Sequence, residues 1–100
     1  MTINEATEII TNNRDFLAGS ESIEDTADAW AQCPFGADTM ARWVKAGCFD
    51  AASASDLHLA GISPEACGAL RDAHGSTLAY SYCNGDTSLD NVALRVEVGS

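Results

Sequence analysis

The sequence predicts an α+β fold, with four or five short helices over residues 1–75 and a β-hairpin or small antiparallel meander over residues 76–100. Three observations carry this expectation. Apolar residues recur at helical spacing through the first part of the chain. Cap residues and glycines divide that part into short segments. From Thr77 onward the apolar period changes from 3.6 to 2.

The first helix starts at Thr2, which forms a capping box with Glu5. It is expected to run to about Leu17, with Ile3, Ala6, Ile10 and Leu17 near one face and Gly19 as its stop. Glu5, Glu8 and Asp15 fall on the opposite face. Ser20 or Ser22 caps a second helix, whose apolar stripe is Ile23, Ala27 and Trp30. Glu21, Glu24, Asp25 and Asp28 line its other side. Pro34 ends it by pushing Cys33 toward extended backbone. A third helix spans about Asp38 to Ala46 and stops at Gly47. Asp50 caps a fourth, which ends at Ala60-Gly61. Ser63-Pro64-Glu65 opens a fifth with a cap, a proline at the first position and an acid. That helix is expected to reach about Ala73, with Gly75 as its stop.

Beyond it, Leu78, Tyr80 and Tyr82 alternate with smaller or polar residues, as do Val92, Leu94, Val96 and Val98. Both runs read as half-buried strands. Asn84-Gly85 reads as a tight turn, and a third short strand near Thr87 to Leu89 would make a meander. A lone hairpin is marginal in water, so it must pack on the helices.

The chain is long enough for one domain of 100 residues. Fifteen acids and five bases give a net charge of −10. Such a field repels phosphate and attracts basic surfaces. The charge is also uneven, because the first 28 residues hold seven acids and one base, Arg14. A solvated outer face is the ordinary explanation of one acidic stripe. Two successive stripes with one base between them suit docking against Lys and Arg, with charge guiding approach and aromatic side chains anchoring. Trp43, Phe49, Tyr80 and Tyr82 are the candidate anchors, while Trp30 belongs to the core face.

Signals for chemistry are missing. Cys33, Cys48, Cys67 and Cys83 are far apart, with no CxxC pair to signal zinc. The sequence shows neither an apolar leader nor a membrane-length run, which suits a cytoplasmic setting with cysteines reduced and buried. His58 and His74 lie in no motif that would make them a base for a nucleophile, and no phosphate, dinucleotide or metalloprotease motif occurs. The chain is therefore expected to be no enzyme and to use no cofactor. A DNA-reading helix-turn-helix fits the short helices, but residues 50–60 carry no Lys or Arg.

The stretch from Asp15 to Leu70, DFLAGSESIEDTADAWAQCPFGADTMARWVKAGCFDAASASDLHLAGISPEACGAL, resembles the type I-F anti-CRISPR proteins of phages and mobile elements. That resemblance implies a non-enzymatic inhibitor acting in the bacterial cytoplasm. Its partners would be Cas subunits of a crRNA-guided surveillance complex, and target DNA binding, duplex splitting or guide hybridisation, or nuclease recruitment would be blocked. Those proteins share no active-site signature, so no residue roles carry over. Physically, such complexes hold nucleic acid in Lys- and Arg-rich channels, which an acidic protein can occupy in place of phosphate. The expected interface is Glu21, Glu24, Asp25 and Asp28, with Glu5, Glu8 and Asp15 secondary. An acidic adaptor or antidote for another basic protein is the alternative function, and a small transcription-associated helical domain is a third. The protein is expected to be a monomer.

Overall fold

The computed structural model describes residues 1–17, 19 and 22–99. In chain order the helices are α1 (Ile3–Asn12), α2 (Arg14–Leu17), α3 (Ile23–Ala31), α4 (Ala37–Ala46), α5 (Ala51–Leu59), α6 (Pro64–Ala69), α7 (Leu78–Cys83) and α8 (Leu89–Gly99). No strand occurs among the described residues, where the β pairing is an isolated bridge between Arg71 and Thr77. The fold is all-helical, and the expected C-terminal hairpin or meander is absent.

Local chemistry explains the correction. The Thr77 hydroxyl accepts the Tyr80 N–H at 3.1 Å, which caps α7. The Ser88 hydroxyl accepts from Asn91 N–H in the same way at the start of α8. Asn84-Gly85 lies after a helix, not between strands. Gly85 takes φ +79°, and the Gly85 and Asp86 N–H groups bond back to the Tyr82 and Ser81 carbonyls at 3.1 and 2.9 Å. This is a helix-terminating Schellman arrangement, for which a left-handed glycine is the usual residue.

Two of the helices are shorter than their apolar pattern suggested. The first breaks at Asn13, whose backbone leaves the helical region and whose side-chain amide donates to the Ile9 carbonyl at 2.8 Å. The fifth helix expected from the sequence, here α6, ends at Ala69, because Leu70 is extended and its carbonyl accepts from Leu78 N–H. Asp72 then organises the turn that follows, accepting the His74 and Ser76 N–H groups at 2.9 and 3.0 Å.

One core joins the helices. Its largest buried side chains are Trp30, Trp43, Ile10, Met40, Leu57, Leu78 and Val92. α1 packs on α3, α3 on α5, α4 on α6, α5 on α7, and α8 closes against α6 and α7. Gly47 stops α4 at φ +104°, and a Cβ there would stand 2.6 Å from Thr77 Oγ1. A side chain at 47 would therefore meet both backbone strain and the cap of α7. Among the described residues, no helix is long and apolar enough to cross a membrane.

Candidate protein-binding surface

The acids of α3 owe their position to its inner face. Ala27 and Trp30 are buried, and Trp30 meets Phe35 with ring centroids 6.3 Å apart. This fixes the helix rotation, so that Glu24, Asp25 and Asp28 stand exposed. Glu24 and Asp25 lie in the first turn, where the helix dipole favours acids. Asp28 accepts from the Gln32 side-chain amide at 3.1 Å.

Asp25 and Asp28 share an open groove of about 370 Å³ between α3 and α5. Its other wall is Ala51, Ala52 and Ser55, small residues that leave the groove unfilled. Asp50 caps α5 by accepting the Ser53 N–H at 3.1 Å and the Ser53 hydroxyl at 2.8 Å. No local pattern in the sequence announces this second wall. The run Ala51-Ala52-Ser53-Ala54-Ser55 was visible, but which helix would face it was not.

The secondary acids are dispersed. Glu5 works in the capping box, accepting Thr2 N–H at 2.8 Å, and that backbone bond is the main reason its carboxyl is held below the usual range. Glu8 is exposed on α1, and Asp15 is exposed on α2 beside Arg14. Glu21 lies outside the described residues. Among the described residues, Glu5, Glu8, Asp15, Glu24, Asp25 and Asp28 form no ion pair, whereas Arg42 on α4 is paired with Glu65 on α6.

The expected aromatic anchors are mostly committed elsewhere. Trp43 is fully buried, and its indole N–H lacks a hydrogen-bond partner. Phe49 is half-buried between Phe16 and Tyr80, with ring centroids at 6.0 and 5.5 Å. Tyr82 donates its hydroxyl to Asp56 at 3.1 Å. Phe16 is 40% exposed and borders a larger groove of about 600 Å³ with Ile9, Val44 and Lys45. The described lining of that groove contains no acid.

His58 and Cys33 serve packing. His58 packs edge-on against Phe35 at 5.1 Å. The Cys33 thiol donates to the Ala51 carbonyl at 3.5 Å, and burial, helped by the Asp50 charge, pushes it up to about 11. Among the described residues, no group of three or more His, Cys, Asp and Glu side chains is arranged to hold a metal ion. Comparison with family models, curated proteins and solved structures gives no match to this chain.

Proposed function

We propose that this chain is a non-enzymatic binding protein that offers the acidic α3–α5 groove to a Lys- and Arg-rich protein surface. On the resemblance of residues 15–70, that surface belongs to a type I-F crRNA-guided surveillance complex, and its occupation interferes with target DNA binding or duplex splitting. One observation carries the reading: Asp25 and Asp28 are exposed, without an ion pair among the described residues, in a groove whose described walls contain no base.

The charge arrangement has a cost that supports this reading. Glu24 and Asp28 are a like-charged i,i+4 pair, destabilising by about 0.2–0.5 kcal/mol. A basic partner would turn that repulsion into attraction, speeding association and making it sensitive to salt. The same chemistry would suit another basic protein, so the test must separate the groove from its target.

The test is a pull-down of a purified type I-F surveillance complex, followed by a target-DNA gel shift. The expected result is co-elution with lost DNA binding. The triple variant E24K/D25K/D28K is expected to weaken association about tenfold or more. Loss of association in a folded triple variant, with wild-type binding intact, supports the groove. Unchanged binding by that variant rejects the groove as the contact surface. No association of the wild-type protein at low salt rejects this complex as the target.

A further inference from the structure

Two cysteines separated by 35 positions meet in the core. The Sγ atoms of Cys48 and Cys83 lie 3.0 Å apart. Cys48 follows the glycine that stops α4 and is fully buried, whereas Cys83 closes α7 and is half-buried. We propose that Cys48 and Cys83 form an oxidisable dithiol, a modification site that reacts with small peroxides and closes to an intramolecular disulfide. This proposal is independent of the acidic groove and its target.

Three observations support it. A disulfide needs sulfurs about 2.04 Å apart, so closure asks for an approach of about 1 Å. Cys48 is also packed against neighbouring backbone, its sulfur lying 3.5 Å from the Asp50 carbonyl oxygen. The surroundings divide the roles. Cys83 is the less buried of the two residues, and the Cys48 thiol, the Asp50 and Phe49 N–H groups and the Ser53 side chain face it. Hydrogen bonding from Cys48 is the largest of these influences and favours the Cys83 thiolate against its burial. Cys48 is pushed the opposite way, first by that same bond and then by burial. The less buried cysteine is thus the nucleophile and the fully buried one the resolving thiol.

The chemistry balances with one peroxide. The Cys83 thiolate attacks a peroxide oxygen, the O–O bond breaks, and the departing hydroxide takes a proton to become water. Cys83 is then a sulfenic acid. Cys48 loses its proton and attacks the Cys83 sulfur, displacing hydroxide, which leaves with that proton as a second water. Two thiols are oxidised to one disulfide as one peroxide is reduced to two waters. Two equivalents of a small thiol reverse the link by successive exchange and leave as their own disulfide.

Cys67 tests the assignment. It is fully buried and close enough to Cys83 for the Cys83 charge to help raise its thiol, after burial itself, to about 11. The experiment treats folded wild-type protein with hydrogen peroxide, blocks free thiols, and maps the product by non-reducing peptide mass spectrometry. The expected result is a loss of two mass units in a Cys48–Cys83 linked peptide, with Cys33 and Cys67 still free. The oxidised protein should melt about 10 °C or more above the reduced one. C48S should stop at a dimedone-reactive Cys83, C83S should not react there, and C33S and C67S should still close the link. A Cys67–Cys83 link, over-oxidation without a link, or four free thiols in the treated wild-type protein would each overturn the proposal. The wild-type map decides even where a serine variant fails to fold.

Discussion

Ser81 is fully buried, and its hydroxyl donates to the Asp72 carboxylate, joining α7 to the turn before it. That bond is the main reason the Asp72 carboxyl sits below its ordinary value of 3.8, with the Ser76 and His74 N–H groups adding to it. A carboxyl lowered by folding contributes stability that is present above its unfolded pKa. The contribution is lost as pH falls through the folded value. The melting midpoint of the wild-type protein should therefore exceed that of D72N near neutral pH. The gap should narrow from about pH 5 downward. A gap that stays constant across that range would mean that Asp72 acts through packing alone. At this scale several local caps were readable, although Ser22 makes no side-chain cap bond to α3 and the caps at Thr77 and Ser88 went unread. Thr2 with Glu5, Asp50 with Ser53 and Ser63 with Ala66 all cap as their spacing implied. Ser81 and Asp72 are nine positions apart and meet through a turn that no local pattern announced.

Helix α8 shows why the C-terminal elements were misread. Val92 and Val96 are four apart, an even number that is also one helical turn, so both fit either period. Leu89 decides the matter, since Leu89, Val92 and Val96 follow i, i+3 and i+7 and pack on the core. Leu94 and Val98, which an alternating strand would place beside Val92, are 58% and 77% exposed. V92A should cost about 2–3 kcal/mol in chemical unfolding, as a buried side chain leaving a cavity. L94A should cost under about 0.5 kcal/mol. Equal costs would put both residues on one face and favour the strand. The glycine stops at 47 and 61 and the Pro64 start were legible, because they depend on backbone conformation alone. The walls of the α3–α5 groove were not, since helix pairing is a property of the assembled core.

For the molecule as a whole, charge is the dominant long-range term. A net charge of −10 on 100 residues repels itself, and the acids of α1 and α3 carry no ion pairs among the described residues. Raising sodium chloride from about 10 mM to about 0.15 M, where the screening length is about 8 Å, should raise the melting midpoint by a few degrees. The same change should weaken binding to a basic partner. E24K/D25K/D28K should be less salt-sensitive in stability, which differential scanning calorimetry can follow. The acid-rich first 28 residues and their single base were plain in the sequence. The meeting of Cys48 and Cys83 was not, because it depends on α7 being a helix that lies over the end of α4.

The order in which the helices pair has a further consequence. α3 meets α1, α5 meets α3, α6 meets α4 and α7 meets α5, so these helices find partners already made. A chain growing from its N-terminus can bury each new apolar face soon after it emerges, at a small loop-closure cost. Contacts this close in sequence also favour rapid folding. Only α8 arrives last, onto α6 and α7, as a lid on a structure otherwise complete. Newly made protein would therefore expose little apolar surface for long, which limits its chance of aggregating during synthesis.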